Sequence, residues 1–89
     1  MYKYLVSKII NCNTSNAVTR KIFSIKEHAK KQFKEWKDEL LEDYAEVDED
    51  INDPGFIETL KAEYWATFKD DYVELDGSEI IIERVEEVR

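Results

Sequence analysis

Alternating apolar positions at the start of the chain predict a first strand. Val6 and Ile10 fall on one side of residues 2–10, and Leu5 and Ile9 make the other side partly apolar as well. A strand that is apolar on both sides is typical of the inside of a sheet. We therefore expect this strand to have neighbours on both edges.

A second strand is expected directly after a turn. Residues 11–16 are rich in Asn, Thr and Ser, whose side chains bond to nearby backbone groups in turns. Residues 17–23 then return with Val18 and Ile22 on one side and Phe23 on the other. The two segments together predict an antiparallel hairpin, whose loop length the pattern does not fix.

The spacing of apolar residues changes after residue 23 and predicts a long helix. Ser24 and Glu27 have the spacing of a capping box, in which each side chain bonds a free backbone N–H of the first turn. A stripe at spacings of three and four continues for about five or six turns, through Ile25, Ala29, Phe33, Trp36, Leu40, Tyr44 and Val47. Lysines come first and acids last, which opposes the helix dipole.

A short second helix follows the acidic loop of residues 48–53. Asp53 is suited to cap it and Pro54 to occupy its first position, and the apolar spacing ends near Tyr64. The acidic loop resembles a calcium loop only in its first positions. Asp53 stands where glycine is needed and Thr59 where a glutamate is needed, so we expect a solvated linker.

The period becomes two after the second helix, which predicts three short strands at residues 65–68, 72–75 and 79–83. Asp76-Gly77 is a strong signal for a two-residue hairpin turn. With this turn Leu75 pairs with Ser78, and Val73 pairs with Ile80.

The order β-β-α-α-β-β-β predicts an α+β fold, with an antiparallel sheet of about four to five strands packed on one long and one short helix. Residues 1–89 are expected to form a single domain, since this length supports one core. The large aromatic residues are predicted to lie in that core: Trp36, Trp65, Phe23, Phe33, Phe56 and Phe68.

Charge is divided unevenly along the sequence. Residues 1–36 hold 8 basic and 2 acidic side chains, while residues 37–89 hold 5 basic and 19 acidic ones, which together give a net charge of −8. The lone Cys12 cannot form an internal disulfide, and no membrane span or signal peptide is evident. We expect an intracellular protein without membrane contact.

Candidate chemistry is sparse. Cys12 and the single His28 would form a nucleophile pair only if the first turn folded over the start of the long helix. No phosphate-binding loop, zinc motif or hydrolase motif is present. We therefore expect no catalytic residue, no cofactor and no metal, and hence not an enzyme.

Two charged surfaces remain as candidate binding sites. A basic ridge could bind phosphates of nucleic acid, and it comprises Arg20, Lys21, Lys26, Lys30, Lys34 and Lys37. An acidic face could imitate the phosphates of DNA and occupy a nucleic-acid-binding protein, and it comprises Glu39, Glu42, Asp43, Glu46, Glu74, Glu79 and Glu83. Either set is also an ordinary solvated surface.

Three parts of the chain resemble small proteins of phages and prophages of low-GC Gram-positive bacteria, staphylococcal phages among them. They are the opening strand at residues 2–7, the Lys/Glu-rich middle helix and the ending at residues 72–83. The resemblance implies a phage-encoded accessory protein in the cytoplasm of a host bacterium. Together with the fold, it leads us to expect non-enzymatic binding to a host protein or to a second copy. The alternatives are an acidic DNA mimic and a nucleic-acid binder.

Overall fold

The computed structural model describes residues 2–11 and 16–86. It confirms the predicted α+β fold and the order of its elements. Five strands form one antiparallel sheet in the spatial order β2-β1-β5-β4-β3. The elements are β1 (Tyr2–Asn11), β2 (Asn16–Phe23), α1 (Lys26–Glu42), α2 (Pro54–Tyr64), β3 (Thr67–Phe68), β4 (Tyr72–Leu75) and β5 (Ser78–Glu86).

One face of the sheet forms the hydrophobic core with the helices. α1 lies across β1, β5 and β2. Its stripe of buried residues packs on Val6, Val73 and Ile80, all fully buried. The stripe consists of Ala29, Phe33, Trp36, Leu40 and Leu41. β1 lies between β2 and β5, which confirms the prediction of an inner strand.

The hairpin of β4 and β5 has the predicted register. Leu75 pairs with Ser78, and Val73 pairs with Ile80. Asp76 and Gly77 both have positive φ, 51° and 85°, as the tight hairpin turn requires. The Asn11 side chain packs against this turn and donates a hydrogen bond to the Asp76 carbonyl, at 3.4 Å.

Replacing Gly77 by alanine is expected to cost about 1–3 kcal/mol of folding free energy. A Cβ at this positive φ would also stand 2.6 Å from Asn11 Nδ2, which must then move. Urea unfolding followed by circular dichroism measures the loss. Gly55→Ala is the matched control, because a Cβ there meets only Asp53 at ordinary contact distance. An equal loss in both variants would contradict this account of the turn.

The second helix is capped as predicted and is anchored by two side chains. Asp53 Oδ1 accepts a hydrogen bond from the Gly55 N–H at 3.0 Å, and Pro54 occupies the first turn. Phe56 and Leu60 are buried in the core. Ile57 is half-buried against the same core, and the ring of Tyr64 contacts the ring of Tyr44 with centroids 5.2 Å apart, so α2 is held through one apolar side.

The predicted ends of the long helix are wrong. Ile25, not Ser24, is the N-cap residue, and no side chain caps the helix. β2 continues to Phe23, which leaves Ser24 one position too early for its hydroxyl to bond within the first turn. At the other end α1 stops at Glu42, where the N–H groups of Tyr44 and Ala45 bond to the carbonyls of Leu41 and Glu42 in turns that replace a further helical turn.

Three residues that the sequence pattern predicts to be buried are exposed instead. Ile25, the N-cap residue of α1, is 49% exposed. Val47 is 102% exposed in the segment between the helices. Trp65 is 86% exposed, because it ends α2 in a left-handed conformation with φ 58° and does not begin a strand. β3 accordingly contains only Thr67 and Phe68. The remaining aromatic residues of the predicted core are buried or packed against it.

Candidate protein-interaction surface

The face of the sheet opposite the helices is apolar along β1 and β2. Side chains alternate along a strand, so the neighbours of the buried Val6 point away from α1. The register places Leu5 beside Ile22 and Ile9 beside Val18 on this side. These four residues, with Ile81 and Val85 of β5, define the open face.

Several of these side chains are strongly exposed. Ile22 is 64% exposed, Val18 47% and Val85 43%, and none of the described elements packs over them. A shallow cavity of about 220 Å³ is lined by Leu5, Ile22, Val85 and the stem of Lys3. A grouped apolar patch of this kind on a small protein is characteristic of a binding surface.

Charges on this side of the sheet are separated by strand. Arg20 lies on β2 between Val18 and Ile22, opposite Ser7 of β1. The carboxylates occupy the far half, on β4 and β5. They are Glu74, Glu79 and Glu83. The open face therefore has a basic edge, an apolar centre with Lys3 at one end, and an acidic half.

The two edges of the sheet differ in length. β2 is one edge and runs over eight residues, and β3 is the other and has two residues. The C-terminal strand β5 lies in the middle of the sheet, so among the described strands only β2 offers a long edge. Arg20 and Lys21 lie on it, and such cations discourage pairing with another strand.

The structure divides the predicted basic ridge. Lys21 lies on the helix side, where its Nζ donates to Gln32 Oε1 at 3.1 Å, whereas Arg20 lies on the open face. The helix lysines follow the other flank of α1 at spacings of three and four: Lys26, Lys30, Lys34 and Lys37. Lys34 forms an ion pair with Asp38 at 2.7 Å.

Part of the ridge lines a cleft of about 610 Å³ between the start of α1 and the turn before β4. Lys26 and Lys30 meet Lys69 and Arg84 there, and Tyr4 and Ile82 form its apolar wall. Asp70 and Asp71 also line the cleft, so its walls carry both signs of charge.

The structure also divides the predicted acidic face. Glu39 belongs to α1, and its Oε2 atom lies 3.6 Å from Lys8 Nζ. The next carboxylates lie at or beyond the end of the helix, and they are Glu42, Asp43 and Glu46. The strand carboxylates lie on the opposite side of the sheet. The two groups do not form one continuous surface.

Two lysines approach the indole ring of Trp36 beside β1, a contact that the sequence pattern did not predict. Lys8 Nζ lies 5.0 Å and Lys21 Nζ 5.8 Å from the centre of the Trp36 ring. Cations over an indole face are attracted by its quadrupole. The signal in the sequence was a lysine on the otherwise apolar side of β1.

Candidate catalytic and metal-binding groups are not assembled in the described part of the chain. His28 is exposed in the first turn of α1, and Cys12 lies outside the described residues. Within residues 2–11 and 16–86, no group of three or more His, Cys, Asp or Glu side chains is arranged to hold a metal ion. None of the described helices is long and apolar enough to span a membrane.

Two tyrosines have raised pKa values. Burial raises the pKa of Tyr44, and the charge of Asp76 and a 3.2 Å hydrogen bond to its carboxylate raise it further. Burial also raises the pKa of Tyr72, together with a 3.0 Å hydrogen bond to Glu79 and the charge of that group. In both cases the folded protein favours the neutral phenol.

We expect the free energy of unfolding to fall as the pH rises above 10, the ordinary pKa of tyrosine. Above this pH the unfolded chain loses the two protons while the folded chain retains them, so ionisation favours unfolding. Below it, this contribution is fully present. Urea unfolding at pH 8 and at pH 10.5 measures the change. A variant with Tyr44→Phe and Tyr72→Phe should show a smaller change, and an identical one would contradict the assignment.

Comparison with known proteins gives no relative. No protein-family model, curated protein or solved structure significantly matches the chain. Function must therefore be inferred from the residues and their arrangement.

Proposed function

We propose that the chain is a non-enzymatic protein-binding module and that the open face is its contact surface. One observation carries the proposal: β1 is apolar on both sides and β2 extends its outer side with Val18 and Ile22, yet the described helices cover only the other side. Leu5, Ile9, Val18 and Ile22 form the apolar centre. Burying such a surface against a partner is favourable at roughly 25 cal/mol per Å².

The nature of this surface determines how binding should respond to salt. Apolar contact is not weakened by screening, whereas binding through an acidic or basic surface weakens steeply as the salt concentration rises. We therefore expect a complex that persists at high salt. Loss of the complex at high salt would favour the acidic DNA mimic instead.

A pull-down with two lysine substitutions tests the proposal. A tagged chain is co-expressed with an untagged copy in bacteria, and nuclease-treated lysate is passed over resin at low and high salt. We expect the wild-type chain to retain one protein in a stoichiometric amount. The variant with Val18→Lys and Ile22→Lys should not retain this protein. Each new charge would have to be desolvated on binding.

Val47→Lys is the matched control for these substitutions. It also replaces an exposed valine by lysine, but Val47 lies in the segment between the helices, away from the sheet. The control should retain the partner fully. Equal binding by all variants would refute a role for the open face.

The second candidate function is nucleic-acid binding, which the cationic cleft favours. Lys26, Lys30, Lys69 and Arg84 project from three parts of the chain into one space. The net charge of −8 opposes approach of nucleic acid at long range. Retention of nucleic acid without nuclease treatment, and its loss on Lys30→Glu with Lys34→Glu, would support this function over protein binding.

The resemblance to small phage proteins adds a more specific hypothesis. A phage-encoded accessory protein would bind a protein of its bacterial host in the cytoplasm. Identification of the captured protein by mass spectrometry distinguishes a host factor from the untagged copy.

A further inference from the structure

We propose that the occupant of the open face is a second copy of the chain, bound face to face across a two-fold axis that runs parallel to the strands between β1 and β2. This inference rests on the proposed function and names its partner. Two features of the face carry it: the register of its apolar residues and the placement of its charges.

The register makes the apolar centre complementary to itself. Leu5 and Ile22 lie at equal height on neighbouring strands, as do Ile9 and Val18. The two-fold axis exchanges β1 and β2, so β1 of one copy lies over β2 of the other. Leu5 then faces Ile22 of the second copy, and Ile9 faces its Val18. Two packed sheets with aligned strands interdigitate such side chains in a layer about 10 Å thick.

The charges fit the same arrangement. Arg20 and Ser7 are also register partners, so the axis places Arg20 of the second copy over the small side chain of Ser7. Beyond Ser7, β5 contributes Ile81, with Glu79 and Glu83 before and after it on the same face. Each Arg20 therefore meets carboxylates of the other copy, and the symmetry gives this contact twice.

These charges are available for the contact. Within the described residues Arg20 and Glu83 take part in no ion pair, although both lie on the open face. A partner with the opposite arrangement of charge is needed to pair both, and a second copy supplies it.

Pairing of two β2 edges is the other symmetric arrangement, and the charges disfavour it. Full-length antiparallel pairing would gather Arg20 and Lys21 of both copies near the axis, and β2 has no acidic residue to offset them. Like charges at such positions are destabilising. It would also leave the apolar open face in water.

Sedimentation equilibrium of the full chain and two charge variants tests the dimer. The wild-type chain should sediment with twice the chain's mass at high concentration. Arg20→Glu should weaken the dimer about tenfold or more, because the new carboxylate then faces Glu79 and Glu83 of the other copy. The variant with Glu79→Arg and Glu83→Arg should weaken it similarly. An equimolar mixture of the Arg20→Glu variant and the variant with Glu79→Arg and Glu83→Arg should restore dimers. Only in a mixed pair does the side chain at position 20 of each copy face opposite charges at positions 79 and 83 of the other.

Circular dichroism verifies that each variant is folded. Arg20 and Glu83 are exposed, whereas Glu79 accepts a hydrogen bond from Tyr72, so Glu83→Arg alone is measured beside the double variant. A wild-type chain that is monomeric at every concentration, or a mixture no more associated than its components, overturns the dimer. A monomer that still captures a different protein through Val18 and Ile22 leaves the proposed function standing. A monomer whose capture is indifferent to those two residues overturns both.

Discussion

Trp36→Ala is expected to lower the free energy of unfolding by about 3–5 kcal/mol. The indole is 5% exposed and fills the space between α1 and β1. Its removal leaves a cavity and also takes away the ring over which Lys8 and Lys21 lie. Since small domains are stable by only about 5–15 kcal/mol, this loss is a large part of the total.

Trp65→Ala is the matched control for this prediction, because it removes the same side chain from an exposed site. Substitutions at such sites usually change stability by less than about 0.5 kcal/mol. Urea unfolding of both variants, followed by far-ultraviolet circular dichroism, measures the difference. If Trp65→Ala costs as much as Trp36→Ala, the description of the core is wrong.

The second large effect is expected from Phe56→Ala, which should release α2 from the rest of the protein. Phe56 and Leu60 are the two buried side chains of this helix. Removing a buried phenylalanine costs about 3–5 kcal/mol, which is enough to open a helix held by one narrow side. Amide hydrogen exchange should speed up throughout α2 while β1 and β5 remain protected.

Glu63→Ala is the control for Phe56→Ala, because Glu63 belongs to the same helix but is exposed. It should leave exchange in α2 unchanged apart from its own neighbours. If Phe56→Ala speeds exchange equally in α2 and the sheet, the helix unfolds only with the whole domain. That outcome would contradict its separate release.

The elements that the sequence predicted well are those whose local rules agree with the whole fold. Asp76-Gly77 supplies the positive φ angles that a tight hairpin turn needs. The alternation of apolar and polar residues in β4 and β5 fixes the same strand register as the turn does. Asp53 and Pro54 mark the start of α2 in the same way. Here turn chemistry, capping and apolar period all point to one structure.

The errors lie where packing overrides a local pattern. The spacing of Val47 predicts a further helical turn, but α1 ends at Glu42 and hydrogen-bonded turns at Tyr44 and Ala45 follow it. The size of Trp65 predicts a core position, yet the left-handed backbone at the end of α2 places its side chain in solvent. Neither outcome follows from spacing alone, because both depend on where the neighbouring element ends.

The open face could be predicted only in part. The apolar residues on both sides of β1, and the placement of Val18 and Ile22 on one side of β2, were visible in the sequence. That all of them share one side of the sheet, and that Glu79 and Glu83 lie across from Arg20, depends on β5 lying next to β1. Sheet order between strands so distant in sequence is not set by local patterns.

The most direct test of the account is an isotope-filtered nuclear Overhauser experiment on a mixture of ¹³C-labelled and unlabelled chains. It detects only contacts between copies. We expect signals from the methyl groups of Leu5 to those of Ile22, and from Ile9 to Val18, at concentrations where the chain is dimeric. If no such signals occur, and a soluble paramagnetic probe reaches these methyl groups at every concentration, the open face of the isolated chain is solvated and the face-to-face dimer is wrong.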